Sequence, residues 1–211
     1  MQEERLQDFG QLFCTRKTGD ESAHTHGNLL PFGVLSFWQW AFSDLVSNTL
    51  RGVFAEYLVA CDLGVGEDVR TEWNAYDLRT RSGVTVEVKS AAYLQSWHQE
   101  KISEIQWSIR PTCQWDAETN QLGTERKRHA QVYVFVLLIH QEKPKLDPLN
   151  MEQWEFYVLP TAVLDKKFRT QKVITFAALQ RLHPNSAKFG HIAETIEQVM
   201  ASSVCPIDHG E

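Results

Sequence analysis

Glu87 and Lys89 lie two residues apart in the stretch of this chain best suited to chemistry. Val84–Lys89 alternates strictly between valine and polar residues, so a β-strand here would place its three valines on one face. Thr85, Glu87 and Lys89 would share the other face. The pattern therefore predicts a carboxylate and an ammonium side by side on a strand whose opposite face is buried.

A tight hairpin ahead of this strand would bring a second carboxylate to Glu87. A three-residue loop at Arg81–Gly83, with its glycine in the left-handed conformation, would pair Thr80 with Val84. Counting back along both strands then sets Asp77 opposite Glu87. Directly opposed residues have β-carbons about 5 Å apart, where like charges repel.

Two opposed carboxylates are tolerated when a divalent cation lies between them. Hard oxygen ligands of this kind suit Mg²⁺, which binds at about 2.1 Å and keeps several waters that a substrate phosphate can displace. Lys89, on the same face, could contact an attacking water or a scissile phosphate. The alternative is a surface hairpin in which Glu87 pairs with Lys89 or Arg79, and the spacing leaves both interpretations open.

An upstream helix predicts a third acid near this pair. The apolar residues of Asp44–Cys61 recur at helical spacing, and Glu56 lies at the edge of their stripe. A partly buried carboxylate needs a partner, which could be Arg51 or Arg70, or a bound cation. Gly52 inside the helix costs about 1 kcal/mol relative to alanine, which predicts compensating close packing of the backbone.

Periodicity predicts the remaining elements. The most apolar run, Ala130–Ile139, predicts a central strand covered on both faces. Residues 92–110 suit a helix passing into a strand or a strand alone, and residues 111–130 suit a loop. Other strands are predicted at 71–73, 75–80, 84–89, 154–159 and 172–174, with helices at 160–168, 175–182 and 191–203. The order of these elements predicts an α/β or α+β fold.

Length and composition predict one domain with a polar arm. The 211 residues are 43% hydrophobic and 23% charged, which is typical of a folded globular protein. Residues 1–30 lack sustained periodicity and predict a loosely structured arm, with a short element around Phe9–Phe13. We expect residues 31–211 to form a single domain, with its core at 43–140 and an α/β extension at 141–211.

Several protein classes are excluded by the same sequence. No apolar run approaches the roughly 20 residues needed to cross a bilayer, so no membrane partner is expected. The N-terminus lacks the regions of a signal peptide and the four cysteines are dispersed, so we expect a cytoplasmic protein with reduced thiols. The net charge of −6 argues against a non-specific nucleic-acid coat protein.

An aromatic cluster spans Phe32–Phe42. A packed core or a lid is the favoured interpretation, and a stacking platform for nucleic-acid bases is the alternative. The cluster also suggests that the chain could be a subunit of a larger complex. The nearby histidine pair, His24 and His26, is typical of a solvated loop.

The combination of a helical Glu56, Asp77 at the end of one strand, and Glu87-x-Lys89 on the next resembles the PD-(D/E)XK nuclease superfamily. The segments Arg51–Ala60 and Lys89–Trp97 also look like those of bacterial members. The resemblance covers residues 45–140 and departs from the frequent pattern where Tyr76, not proline, precedes the first acid. It implies a restriction-endonuclease-like core, with a mixed central sheet flanked by helices.

The resemblance implies hydrolysis of phosphodiester bonds. Asp77, Glu87 and the Val88 carbonyl would hold Mg²⁺, or Mn²⁺ in its place. Lys89 would orient or activate water, and Glu56 would bind a second ion or position that water. The expected activity is a nuclease in defence or repair, with DNA as the favoured substrate and a homodimer if both strands are cut.

Candidate substrate-binding residues follow from charge and position. Ser90 and Gln95 lie just beyond the lysine and could bind phosphate, fix the lysine or face solvent. Nucleic-acid contact needs positive charge, and the favoured cations are Arg79, Arg81, Arg126, Lys127 and Arg128. The alternative function is a non-catalytic binding or interaction module that keeps the nuclease fold.

Overall fold

A five-stranded mixed sheet flanked by helices forms the centre of the computed structural model, which describes residues 12, 14–72, 74–116 and 119–204. The strands are β1 (Ser22–Thr25), β2 (Asn28–Gly33), β3 (Leu78–Arg79), β4 (Thr85–Ala92), β5 (Gln106–Ser108), β6 (Trp115–Asp116), β7 (Gln121–Leu122), β8 (Val132–Leu138), β9 (Trp154–Pro160), β10 (Val173–Thr175) and β11 (Asn185–Ala187). The α-helices are α1 (Val34–Phe42), α2 (Asn48–Asp62), α3 (Thr161–Lys167), α4 (Phe176–Gln180) and α5 (Ile192–Val204). Within the described residues, no helix is both long and apolar enough to span a membrane.

The central sheet has the order β11-β9-β8-β4-β3. Strands β4 and β8 are parallel, and the other neighbours are antiparallel. Every residue of β8 is buried, which confirms the predicted central strand. Because β9 and β11 continue the same sheet, the segment after residue 140 completes the sheet, and the predicted boundary with a C-terminal extension is not a break in the structure.

The period of two along β4 decides which residues enter which core. Val86, Val88 and Ala92 are buried in a cluster that includes residues of α2 and α5. The neighbouring odd-numbered residues face the other side of the sheet, where Ala91 joins a second cluster with Trp107 of β5 and residues of α3 and α4. The predicted separation of the valines from Glu87 and Lys89 is therefore confirmed.

The N-terminal arm contains more regular structure than its polar sequence predicts. Strands β1 and β2 form an antiparallel hairpin, and His26 and Gly27 lie between them with φ of 49° and 80°. His24 and His26 are exposed, in agreement with the predicted solvated environment. The expected element around Phe9–Phe13 lies outside the described residues, apart from Leu12.

The aromatic cluster is exposed, and all of it except Phe32 of β2 lies in helix α1. Helix α1 contains no buried residue, so of the two expected arrangements the packed core is wrong. The lid stays a prediction, and Trp38 and Phe42 line a cavity of about 900 Å³. Trp40 is 85% exposed. Helix α2 begins later than expected because Asp44 caps a turn instead, its carboxylate accepting hydrogen bonds from the Val46 and Ser47 N–H groups.

Some of the remaining predicted elements form, and others differ from the prediction. Strands β9 and β10 and helices α3, α4 and α5 form close to their predicted positions. Residues 92–110 contain the strand β5 and no helix, and the expected loop at 111–130 contains the short hairpin β6–β7. Residues 71 and 72 do not form the predicted strand, and Trp73 lies outside the described residues.

Gly52 provides a test of the helix. No atom lies within 4 Å of the position of a β-carbon at Gly52, so the predicted close packing is wrong. We expect Gly52→Ala to raise the free energy of unfolding by about 1 kcal/mol, because alanine costs less entropy in a helix. Urea denaturation measures the change.

Gly83 is the matched control for Gly52. It has equally open space around it, but its φ is +93°. Gly83→Ala should therefore lower the free energy of unfolding by about 1 kcal/mol, because an L side chain disfavours this conformation. Equal effects of the two substitutions would contradict this explanation.

Candidate active site

The β3–β4 hairpin brings Asp77 close to Glu87, since both carboxylates contact Lys89. The Thr80 N–H donates to the Val84 carbonyl at 2.9 Å, and the Asp77 N–H donates to the Val86 carbonyl at 3.1 Å. The register pairs Arg79 with Thr85 and Leu78 with Val86, as counting back from the loop predicts. Asp77 lies just beyond this ladder, with its N–H on the Val86 carbonyl, so it stands beside Glu87 without forming a regular strand pair with it.

Lys89 joins the two acids. Its Nζ lies 2.5 Å from Glu87 Oε1 and 3.8 Å from Asp77 Oδ2. All three side chains are largely buried, the lysine being 27% exposed. Two carboxylates and one ammonium leave a formal charge of −1 on the cluster, which favours an additional cation.

A backbone hydrogen bond fixes the Asp77 carboxylate. Its Oδ2 accepts the Val88 N–H at 2.7 Å. A residue in an antiparallel strand directs its N–H and C=O groups to the same neighbour, so the Val88 carbonyl also points to the Asp77 side of β4. Two carboxylates and one carbonyl therefore converge beyond the end of β3.

Glu56 lies near this cluster but has its own partner. Arg70 donates from Nε to Glu56 Oε2 at 2.5 Å and from a terminal nitrogen to Oε1 at 3.3 Å. The sequence left Arg51, Arg70 or a cation open as the partner of Glu56, and in the structure the partner is Arg70. Glu56 and Asp77 line the same cavity of about 900 Å³, together with Trp38 and aromatic residues of α2.

Burial and mutual repulsion set the protonation of the cluster. Burial raises the pKa of the Glu87 carboxyl, and Asp77 adds to the increase while Lys89 opposes it. The pKa of Glu56 is also raised, chiefly by burial, against the hydrogen bond from Arg70. Burial would lower the pKa of Lys89, but attraction to Asp77 and Glu87 outweighs it, so the pKa is raised and the ammonium stays charged.

Ser90 and Gln95 do not join the acids. Ser90 follows Lys89 and faces the α2 side of the strand, where its Oγ accepts a 3.3 Å hydrogen bond from Arg51 Nε. Gln95 is buried, and its Oε1 accepts another from Arg51 at 3.1 Å. Both residues therefore hold a buried guanidinium, which differs from the expected contact with phosphate or lysine.

The hairpin arginines have different surroundings. Arg79 is exposed, lines the 900 Å³ cavity, and donates to the Tyr76 hydroxyl at 3.0 and 2.6 Å. Arg81 donates to the Gly64 carbonyl at 2.9 Å, beyond the end of α2. Only Arg79 of this pair therefore adjoins the candidate site.

The basic run before β8 does not form one surface. Arg126 and Lys127 are exposed, and Lys127 pairs with Glu125 at 2.7 Å. Arg128 is only 6% exposed and donates to backbone carbonyls and to Asp165. The expected nucleic-acid contact by Arg128 is therefore corrected to a buried structural role, because adjacent residues of an extended chain face opposite sides.

Two cations at the site were missed by the sequence reasoning. Arg110 and Lys172 line a second cavity, of about 260 Å³, together with Glu87 and Lys89. They are brought together by the pairing of β5 with β10. No local pattern reveals this long-range pairing, although Arg110 is the last residue of the predicted segment 92–110.

The comparisons assign no class to the chain. A scan against protein-family models finds no match, and a search of curated proteins also finds none. Within the described residues, no group of three or more histidine, cysteine, aspartate or glutamate side chains is arranged to hold a metal ion. The chemistry open to the chain therefore follows from the geometry of Asp77, Glu87, Lys89 and the Val88 backbone.

Proposed function

We propose that this protein is a Mg²⁺-dependent nuclease with a restriction-endonuclease-like core, which hydrolyses phosphodiester bonds with DNA as the favoured substrate. The observation that carries the proposal is the convergence of Asp77, Glu87 and Lys89 at the end of the β3–β4 hairpin. The opposed acids and adjacent ammonium are the groups expected for hydrolysis at a phosphate.

The oxygen atoms of the cluster fit a hard divalent cation. Asp77, Glu87 and the Val88 carbonyl would hold Mg²⁺, and Mn²⁺ accepts the same donors. When bound, the ion supplies positive charge that stabilises the transition state and acidifies water. Glu56 could contribute after its ion pair with Arg70 opened.

The protein side chains have separable roles in this proposal. Asp77 is held in place by the Val88 N–H. Lys89 lies between two carboxylates, so its ammonium donates hydrogen bonds and does not accept a proton. It would therefore bind an oxygen of the scissile phosphate or orient the attacking water.

The test is a cleavage assay with a matched acidic control. Purified protein is incubated with plasmid, single-stranded DNA and RNA, with Mg²⁺, Mn²⁺ or a chelator. We expect metal-dependent cleavage that is lost in Asp77→Ala. Asp68→Ala should remain active, because Asp68 lines the same cavity without joining the cluster. Cleavage that persisted in Asp77→Ala would overturn the proposal.

A second candidate function is a non-catalytic module with the same fold. It is favoured by the existing ion pairs, since Glu56 is bound to Arg70 and Glu87 to Lys89. Calorimetric titration with Mg²⁺ separates the two functions. No binding near millimolar metal would favour the module, whereas binding that is lost in Glu87→Ala would favour the nuclease.

A further inference from the structure

We propose that the 260 Å³ cavity beside Glu87 and Lys89 is a subsite for a phosphate of the nucleic-acid backbone, with Arg110 and Lys172 as its cations. This inference rests on the proposed function for the location of the scissile phosphate, but phosphate binding itself requires no turnover. It deepens that function because it names where a neighbouring phosphate of the substrate is held.

The charge of the cavity supports an anionic ligand. Lys89, Arg110 and Lys172 line it with one acid, Glu87, so its formal charge is positive. In the part of the chain that the structure describes, Arg110 and Lys172 have no carboxylate partner within salt-bridge distance. Both residues are exposed, so their charges are available to a ligand.

An unused hydroxyl adds a second, independent observation. Tyr133 is 3% exposed and lines the cavity. Its hydroxyl makes no hydrogen bond to another described residue. A phenolic O–H can donate a hydrogen bond to a ligand in the cavity. A phosphate oxygen in the cavity is an acceptor for such a hydroxyl.

The volume of the cavity limits the size of the ligand. Cavities for drug-sized ligands are typically about 300–1,000 Å³, so a cavity of about 260 Å³ takes a phosphate and adjoining sugar atoms. Ser108 and Thr112 also line it and offer further hydroxyl donors. Because none of the lining residues is an aromatic side chain exposed for stacking, the cavity suits the backbone and not a base.

The test measures DNA binding in a chelator, where no metal contributes and no cleavage occurs. A labelled DNA oligonucleotide, as a single strand and as a duplex, is titrated with protein by fluorescence anisotropy at about 50–200 mM salt. We expect Arg110→Gln and Lys172→Gln each to weaken binding and to reduce the slope of log K against log salt by about 1.

Lys188→Gln is the charge-matched control. Lys188 follows β11, at the opposite edge of the sheet, and lies 3.6 Å from Glu155. We expect it to leave the slope unchanged. Three results would each overturn the subsite. They are an unchanged salt slope in both cavity variants, an equal loss of DNA affinity in all three variants, and no DNA binding by the wild-type protein.

The two proposals fail in different ways. A wild-type protein that binds DNA through Arg110 and Lys172 but never cleaves it with Mg²⁺ would contradict the nuclease and support the subsite. A protein that cleaves DNA but binds it equally well after both substitutions would contradict the subsite alone.

Discussion

Replacing Lys89 with alanine should slow cleavage by about 10²- to 10³-fold while preserving Mg²⁺ binding. The ammonium is not an oxygen ligand, and its removal leaves Asp77 and Glu87 without the cation that now lies against both. The affinity of the two acids for Mg²⁺ should therefore be unchanged or higher. Loss of a donor to the transition state lowers the cleavage rate by about 10²- to 10³-fold.

Two measurements on Lys89→Ala distinguish a contact with substrate or water from structural support of the acids. Single-turnover cleavage gives the rate, and calorimetric titration gives the Mg²⁺ affinity. Lys188→Ala removes another lysine from beside a carboxylate, Glu155, and should change neither quantity. If Lys89→Ala lost Mg²⁺ binding together with cleavage, the lysine would be a structural support of the acids and not a contact of the substrate or water.

The acid pair could be predicted because its determinants are local. A strand of period two, a short loop and a glycine in the left-handed conformation fix the pairing of Leu78 with Val86, which leaves Asp77 next to Glu87. Register follows from turn geometry and from the buried face. The central strand was also predictable, because burial on both faces removes polar residues from the sequence.

Residues outside the hairpin could not be placed in this way. Ser90 lies next to Lys89 in sequence, yet the alternation of the strand sends it to the opposite face and to Arg51. Helix α1 carries a cluster of aromatic residues that usually indicates burial, and it is exposed. The sequence specifies apolarity, but the position of a segment relative to the sheet depends on long-range packing.

Arg128 is the clearest example. Its charge predicted an exposed side chain, whereas its hydrogen bonds hold it in the interior, where it is 6% exposed. The guanidinium donates to the carbonyls of Ile109 at 2.8 Å, Phe168 at 2.7 Å and Gln171 at 3.3 Å. It also forms an ion pair of 2.5 Å with Asp165. Removing it would leave the buried Ile109 carbonyl without this donor, at a cost of about 1–3 kcal/mol, and would also remove the donors to the partly buried bonds at Phe168 and Gln171.

We therefore expect Arg128→Ala to lower the free energy of unfolding by about 3 kcal/mol, and the melting temperature by about 10 °C. Urea and thermal denaturation measure both changes. Arg128→Lys should recover only part of the loss, because an ammonium cannot reproduce the planar fork of donors. Arg126→Ala removes an exposed arginine from the same run and should change stability by less than about 0.5 kcal/mol.

The position of Arg128 also connects stability with the proposed phosphate subsite. Two of its acceptors, Ile109 and Gln171, directly precede Arg110 and Lys172 in the chain. The buried guanidinium thus holds the two segments that carry the exposed cations. At a temperature where both variants remain folded, Arg128→Lys should weaken DNA binding while Lys188→Gln leaves it unchanged. Unchanged binding in Arg128→Lys, with lowered stability, would confine Arg128 to the core.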